Sequence, residues 1–176
     1  MIPEILERKD LSRVLDSTRK YYEAYSNRYV KFYNDWVKGE DVFSNPAYKE
    51  GYDKVAEVLV KIVRRGELVV NVGCGVGTWS TLLARNQAYV VSLDYSPKTL
   101  IKCGEKARSL KVESQVLRIL ADGFYLPFQK QTFVGATLNW VLAHIPANKN
   151  FMFLREISRV LKADGWLVIS DSYWKG

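Results

Sequence analysis

A predicted strand, a glycine-rich turn and a predicted helix follow one another between residues 68 and 84, and no other stretch constrains the fold as much. The apolar run at 68–72 is typical of a strand buried on both faces. Gly73, Gly75 and Gly77 come next, and helical spacing resumes at Thr78. Glycines at alternate positions allow positive φ angles and leave no Cβ in the way of a ligand at the positive end of the helix. The stretch therefore predicts a cradle for a nucleotide-like ligand.

The spacing of these glycines narrows the choice of ligand. Nicotinamide dinucleotide sites carry the pattern G-x-G-x-x-G. Here Gly77 comes one residue early, and Thr78 stands where the glycine that packs the helix against the strand would fall. A nicotinamide cofactor is therefore disfavoured.

Four more predicted strands follow, separated by predicted helices. The strands cover residues 89–94, 114–120, 133–138 and 166–170, and helices cover 48–65, 78–86, 97–110 and 150–161. Strands that alternate with helices pair in parallel through right-handed crossovers. We therefore expect an α/β fold with a doubly wound, mostly parallel sheet of about five strands and helices on both faces.

Two of these predicted strands end in a carboxylate. Asp94 ends the second strand, where its two oxygens can accept hydrogen bonds from both hydroxyls of a ribose. Asp122 follows the third strand and can accept from the exocyclic amine of an adenine, with Gly123 leaving room beside it and Phe124 next in the chain. Both have a structural alternative, because Asp94 with Ser96 favours a helix start and Asp-Gly favours a turn.

Motifs between residues 55 and 171 resemble the class I S-adenosylmethionine-dependent methyltransferases of the small-molecule kind, often grouped with ubiquinone and menaquinone methyltransferases. The motifs are NVGCGVG at 71–77, LDYS at 93–96, ADG with LPF at 121–128 and RVLKADG at 159–165. The resemblance implies an enzyme that transfers a methyl group from S-adenosylmethionine to an unidentified small-molecule acceptor and leaves S-adenosylhomocysteine. The cofactor-binding residues expected on this basis are Asn71, Gly73, Cys74, Gly75, Gly77, Asp94, Tyr95, Asp122, Gly123, Phe124 and Asn139.

Some features depart from the family pattern. Asn71 replaces the usual Asp or Glu, which keeps an acceptor oxygen but loses the charge that favours a cationic ligand, and Val134 replaces Asp. Family members also continue past the fifth strand with a helix and an antiparallel strand pair, which we expect to be missing here. An uncovered fifth strand predicts either a homodimer through that edge or coverage by the N-terminal extension.

Residues 1–46 are predicted to form an N-terminal helical extension or lid, and residues 47–176 the S-adenosylmethionine-binding domain. Two helices are expected in the extension, at 2–20 and 19–37, and the second carries aromatic residues at three- and four-residue steps. Those rings either pack the helix onto the domain or line a substrate pocket. The candidate substrate-binding residues are Tyr21 and Tyr25, together with Trp140 after the fourth strand.

His144, the only histidine, lies in the predicted loop after the fourth strand, where an acceptor should approach. Methyl transfer is a displacement in which alignment matters most, so a base is not obligatory. If the acceptor is an oxygen or an acidic carbon, His144 is the candidate catalytic residue that takes its proton. A purely structural histidine is the alternative.

The chain of 176 residues has 26 Lys and Arg against 19 Asp and Glu, a net charge of +7. Lys98, Lys102 and Lys106 fall four residues apart on one face of the predicted helix at 97–110, which either follows an RNA backbone or is a solvated surface. The alternative function is accordingly a non-catalytic methyltransferase-like adaptor that binds a partner protein or RNA.

Composition and cysteine usage predict an ordinary cytoplasmic domain. No apolar stretch is long enough to span a membrane, and neither a secretory signal nor a metal-ligand cluster is expected. Cys74 and Cys103 are predicted to be free thiols without a structural disulfide.

Overall fold

A five-stranded parallel sheet forms the centre of the molecule in the computed structural model, which describes residues 2–37 and 46–171. The strands are β1 (Leu68–Val72), β2 (Tyr89–Asp94), β3 (Val116–Leu120), β4 (Phe133–Asn139) and β5 (Leu161–Ser170). The helices are α1 (Ile2–Val37), α2 (Pro46–Ile62), α3 (Thr78–Arg85), α4 (Pro97–Ser109) and α5 (Asn150–Val160), with short 3₁₀ turns at Glu113–Gln115, Leu142–His144 and Ala147–Lys149. The predicted α/β fold with about five parallel strands is confirmed.

Both faces of the sheet are covered, because successive side chains of a strand point to opposite sides. Val69 belongs to an apolar cluster with Leu59 of α2 and Leu83 of α3, whereas Val70 belongs to a second cluster with Phe153 and other residues of α5. Both valines are fully buried. The apolar run of β1 therefore places this strand in the middle of two cores.

The strand order is β3-β2-β1-β4-β5, so the chain reverses its winding direction beside β1. In open α/β sheets, ligands bind in the crevice at the carboxyl ends of the strands where this reversal occurs. The loops that follow β1 and β4 flank that crevice. The fold thus places the glycine-rich turn and residues 139–144 next to each other at one opening.

Element boundaries differ from the sequence expectations at both ends. The helices expected at 2–20 and 19–37 form one continuous helix, because residues 4–37 contain neither Gly nor Pro. At the other end, β5 begins at Leu161, which pairs with Phe133, rather than at Trp166. The Trp166 indole packs against the backbone of Gly135, and the register between β4 and β5 is irregular there.

The N-terminal helix contacts the sheet domain directly, since α1 packs against α4 and against the 3₁₀ turn at Leu142–His144. Residues 38–45, next to the predicted domain boundary at 46, lie outside the described residues, so that boundary stays a prediction. Within the described part of the chain, none of the helices combines the length and apolar character needed to cross a membrane.

Candidate active site

The glycine-rich turn after β1 needs glycine for two separate reasons. Gly73, Gly75 and Gly77 have φ angles of 69°, 52° and 84°, a region that other residues rarely adopt. In addition, a Cβ on Gly73 would lie 2.5 Å from Val141 Cγ2, and one on Gly77 would lie 2.5 Å from Cys103 Sγ. The turn therefore lies tightly between the loop that follows β4 and helix α4.

Asp94 ties this turn to the end of β2. Its Oδ2 accepts a hydrogen bond from the Gly75 backbone N–H at 2.7 Å, and its Oδ1 accepts from the Ser96 N–H at 2.9 Å. Burial raises the pKa of Asp94, and these backbone donors oppose that rise. Each carboxylate oxygen can accept more than one hydrogen bond, so both remain able to accept a bond from a ligand.

Asp122 and Gly123 form the turn that follows β3. The Asp122 Oδ1 accepts from the Phe124 N–H at 2.9 Å, which is the turn expected of an Asp-Gly pair. A Cβ on Gly123 would lie 2.6 Å from the Phe153 ring, so only glycine fits there. Both Asp122 and Gly123 also border a cavity at the carboxyl ends of the strands.

A cavity of about 490 Å³ opens at the carboxyl ends of the strands. This volume lies within the usual range of small-molecule sites. The sequence-predicted site residues that line it are Gly73, Cys74, Gly75, Asp94, Tyr95, Asp122, Gly123, Phe124, Asn139, Trp140, His144 and Tyr21. The tertiary structure therefore brings residues from every part of the sheet domain to one opening.

Three predicted site residues, Asn71, Gly77 and Tyr25, do not line this cavity. Asn71 is buried on the opposite face of β1, where its Nδ2 donates to Ser80 Oγ of α3 at 2.9 Å, because alternation along the strand gives the cavity to Val72 instead. Gly77 packs against α4, and Tyr25 is 44% exposed. Direct cofactor contact by the Asn71 side chain is thus not supported by its placement.

A contact between Tyr22 and His144 closes the cavity on the side of α1. The Tyr22 hydroxyl lies 2.7 Å from His144 Nε2, and the two rings meet edge to face with centroids 5.3 Å apart. When the neutral imidazole carries its proton on Nδ1, the phenol donates to Nε2. Tyr22 belongs to the aromatic repeat of α1 and contacts Tyr29 within it, although Tyr21 and Tyr25 rather than Tyr22 are the candidate substrate-binding residues on this helix.

The surroundings of His144 favour its neutral form near pH 7. Burial lowers its pKa, while the carboxylate of Asp171 raises it to a smaller extent. Asp171 itself accepts a hydrogen bond from the Ala143 N–H at 2.9 Å. The net direction favours a neutral imidazole, which can accept a proton.

Stacked aromatic rings form a second part of the wall. Trp140 stacks on Tyr52 of α2 with ring centroids 4.2 Å apart, and both lie near Trp79 of α3. The Trp140 backbone has a φ angle of 57°, an uncommon conformation for a bulky residue that is typical of functional sites. Tyr52 and Trp79 were not predicted, because nothing in the sequence links three positions so far apart.

The charges around the cavity are acidic. Among the described side chains that line it, Asp94 and Asp122 carry carboxylates, and none is a Lys or Arg. Such a wall favours cationic or neutral ligands over anionic ones.

The predicted basic face of α4 is wrong. Lys106 is only 8% exposed and donates to Thr78 Oγ1 at 3.1 Å, and Lys102 pairs with Glu105 at 2.9 Å. Of these three lysines, only Lys98 has an exposed side chain. The helix turns Lys106 inward against α3, so the three ammonium groups do not form one surface for an RNA backbone.

Two curated relatives of this chain are methyltransferases. The chain matches a demethylmenaquinone methyltransferase of Thermobifida fusca, 31% identical over 123 residues that cover 70% of this chain and 51% of the relative. It also matches the methyltransferase GfsG of Streptomyces halstedii, 34% identical over 65% of this chain and 41% of the relative. The chain thus spans about half the length of the curated relatives it matches.

Solved structures share the fold at lower sequence identity. A Haemonchus contortus phosphoethanolamine N-methyltransferase in complex with phosphoethanolamine and S-adenosylhomocysteine superimposes with a TM-score of 0.71 at 20% identity, covering 92% of this chain and 33% of that one. The [4+2]-cyclase SpnF superimposes with a TM-score of 0.62 at 23% identity, covering 68% and 44%. The fold alone therefore does not define the reaction.

A family model settles the relationship. Residues 70–169, more than half of the chain, match the model described as a methyltransferase domain. The matched region runs from β1 through β5 and contains the glycine-rich turn, both carboxylates and His144. The chain therefore belongs to the methyltransferase-domain family.

Proposed function

We propose that this chain is an S-adenosylmethionine-dependent methyltransferase that acts on a small, uncharged acceptor. The observation that carries the proposal is the cavity where the glycine-rich turn, Asp94 and Asp122 meet Tyr22 and His144. One side of this cavity suits a nucleoside, and the other carries a group able to take a proton.

The residues present fit the cofactor. Positive φ at Gly75, with no atom within 4 Å of the place a Cβ would take, leaves the backbone open to a ligand there. Asp94 would hold the ribose hydroxyls, Asp122 would accept from the adenine amine, and Phe124 would lie near the base. The acidic wall suits a ligand that carries a sulfonium and an ammonium group.

When bound, S-adenosylmethionine supplies an electrophilic methyl group. The protein then has to align the acceptor, exclude water and remove a proton. Neutral His144 takes the acceptor's proton through the Tyr22 phenol, which gives its own proton to Nε2 and receives the acceptor's proton in turn. This arrangement suits an acceptor oxygen or acidic carbon, because such groups become nucleophilic only when they lose a proton.

The wall of the acceptor side narrows the acceptor class. Trp140, Tyr52 and Tyr22 offer ring faces and edges, and the described lining has no Lys or Arg to neutralise an anion. A flat, neutral molecule with a hydroxyl group fits this wall, whereas a carboxylate or phosphate would stay unpaired.

Calorimetric titration with S-adenosylmethionine and S-adenosylhomocysteine tests the first half of the proposal. Binding of both is expected, and a folded protein that binds neither would favour the non-catalytic adaptor. Methyl transfer to a phenol and to the same phenol bearing a carboxylate tests the second half. The neutral phenol is expected to react at least about tenfold faster, and the reverse preference would contradict the acceptor class.

Assembly and location stay proposals. β5 is an edge strand of the described sheet, with Leu167 and Ile169 about two fifths exposed at 39% and 41%, which supports a homodimer through this edge. Light scattering over a concentration series tests it, and a strict monomer would rule it out.

The free thiols of Cys74 and Cys103 support a cytoplasmic location. The burial of Lys106 gives no support to RNA binding through α4.

A further inference from the structure

Two thiols lie together beneath the cofactor-binding turn. Cys74 stands between Gly73 and Gly75 and lines the cavity, whereas Cys103 of α4 is fully buried. The turn rests directly on Cys103, because its Sγ occupies the space where a Cβ on Gly77 would be. Both cysteines are free and belong to one buried cluster, and the Gly77 N–H donates to the Cys74 carbonyl at 3.0 Å, so a single tight turn carries Cys74 and the glycine that packs on Cys103.

The surroundings make the two thiols unequal. The pKa of Cys103 is lowered, first by its hydrogen bond with Cys74 and then by the Ser92 hydroxyl and the Arg118 guanidinium. The pKa of Cys74 is raised, mainly by burial. Asp94 raises both pKa values, so it opposes ionisation of either thiol.

A second cation lies near Cys103. Lys106 follows Cys103 by three residues on α4, which places both side chains on one face of the helix. The two groups interact electrostatically, since Cys103 raises the pKa of Lys106 against the lowering caused by burial. Cys103 is therefore the better nucleophile, and Cys74 is the protonated partner beside it.

We propose that Cys74 and Cys103 form a redox pair that hydrogen peroxide converts to a disulfide, which disables the cofactor site. The Cys103 thiolate attacks one peroxide oxygen; the O–O bond breaks, and the second oxygen leaves as water after taking a proton. The Cys74 sulfur then attacks the resulting sulfenic acid; an S–S bond forms, the S–O bond breaks, and a second water leaves with the Cys74 proton. Two electrons pass from the two sulfurs to one peroxide.

The disulfide would act on the cofactor site through the turn. Bonded sulfur atoms lie about 2.05 Å apart, much closer than sulfurs in contact, so Cys74 and α4 must approach each other. The Cys74 N–H donates to the Leu93 carbonyl at 2.9 Å, and the Gly75 N–H donates to Asp94 at 2.7 Å. Moving Cys74 disturbs both bonds and the backbone that would face the cofactor.

The cavity is also the route by which peroxide reaches the pair. Cys74 lines it, whereas the remaining surroundings of both thiols are buried. A ligand in the cavity should therefore protect them. The protection and the loss of affinity rest on the proposed cofactor site, but formation of the disulfide does not.

Mass spectrometry of the full chain tests disulfide formation. After treatment with equimolar hydrogen peroxide and alkylation under denaturing conditions, the protein should take up no alkyl group and should have lost two hydrogen atoms. Trypsin should then release peptide 66–85 joined to peptide 103–106, which contain Cys74 and Cys103. Oxygen adducts on either cysteine without the joined peptide, or two thiols that still alkylate, would overturn the proposal.

Calorimetry with S-adenosylhomocysteine tests the consequence. Peroxide should weaken its binding to the wild type by about tenfold or more, and dithiothreitol should restore it. The matched variant Cys103→Ser should bind with unchanged affinity before and after peroxide. Equal losses in both proteins would assign the effect to other residues and overturn the regulatory claim. If the untreated wild type does not bind the ligand, the proposed function fails, while the joined peptide still decides the redox pair.

Discussion

The hydroxyl of Tyr22 and Nε2 of His144 lie 2.7 Å apart, although 121 residues stand between them in the chain. Tyr22 belongs to α1, and His144 ends the 3₁₀ turn after β4. The bond therefore joins the N-terminal helix to the edge of the sheet at which the cavity opens. It holds in place the imidazole that we propose as the base.

Removal of the Tyr22 hydroxyl should lower methyl transfer without weakening cofactor binding. In Tyr22→Phe the imidazole loses its hydrogen-bond partner, so the rate should fall by about tenfold, and in His144→Ala it should fall by about 10²-fold or more. Tyr21→Phe is the matched control, because Tyr21 lies beside Tyr22 and also lines the cavity. Single-turnover rates measure this effect. Equal rates in Tyr22→Phe and the control would show that the contact between Tyr22 and His144 is only structural.

The acidic limb of the pH–rate profile should report His144. Burial lowers its pKa from 6.5, and a base is active only when deprotonated. The rate should therefore fall as the pH falls through a value below 6.5, and this limb should be absent from the residual rate of His144→Ala. A limb that persists in the variant would assign the titration to another group.

Asp94→Ala should weaken binding of S-adenosylhomocysteine. The change removes the acceptor proposed for the ribose hydroxyls and also frees the N–H groups of Gly75 and Ser96. Each charge-assisted hydrogen bond contributes about 1.5 to 3 kcal/mol, so the dissociation constant should rise by at least about tenfold. Asp164→Ala removes an exposed carboxylate and serves as the charge-matched control. A folded Asp94→Ala protein with wild-type affinity would contradict the assignment.

Gly77→Ala and Gly51→Ala should change stability in opposite directions. At Gly77 the φ angle of 84° is strained for alanine, and the new Cβ would lie 2.5 Å from Cys103 Sγ, so a loss of about 2 kcal/mol or more is expected. Gly51 lies inside α2 with no atom within 4 Å of a new Cβ, so alanine should stabilise by about 0.5 to 1 kcal/mol. Urea denaturation measures both, and a neutral Gly77→Ala would show that the turn is not held against α4.

Lys106→Met should stabilise the protein near pH 7, with less benefit at higher pH. Burial lowers the pKa of Lys106 to about 8 from 10.5 in the unfolded chain. Between these values only the unfolded state holds the proton, so the free energy of unfolding rises with pH over this range. The penalty for burying the ammonium is therefore complete once the pH has fallen through about 8. The variant should therefore gain about 1 kcal/mol at pH 7 and less at pH 10.

Urea denaturation at both pH values measures the difference between Lys106→Met and the wild type. Lys98→Met removes an exposed ammonium from the same helix and is the matched control, for which a difference independent of pH is expected. A destabilised Lys106→Met at pH 7 would indicate that the ammonium is compensated by its surroundings.

Local patterns in the sequence determined the sheet and the edge at which the cavity opens. Unbroken apolar runs require strands buried on both faces, and alternating helices make those strands parallel, so Gly73, Asp94 and Asp122 had to meet at one edge. These are short-range consequences of residue type and spacing. The placement of Asn71 could have been predicted from the alternation of side chains along a strand. Val72 lines the cavity, so the side chain of its neighbour Asn71 must point to the other face of the sheet.

Only the tertiary structure decided what closes the cavity and what lies beneath it. The positions of Tyr22 against His144, Tyr52 against Trp140 and Cys103 against the turn depend on how α1, α2 and α4 pack on the sheet. A helical pattern predicts which residues share a face, but it does not show what packs against that face. The sequence therefore placed Lys106 on one face of α4, whereas its burial depends on how α4 packs on the rest of the domain. Contacts between distant segments arise from the summed packing of many side chains, which no single stretch of sequence contains.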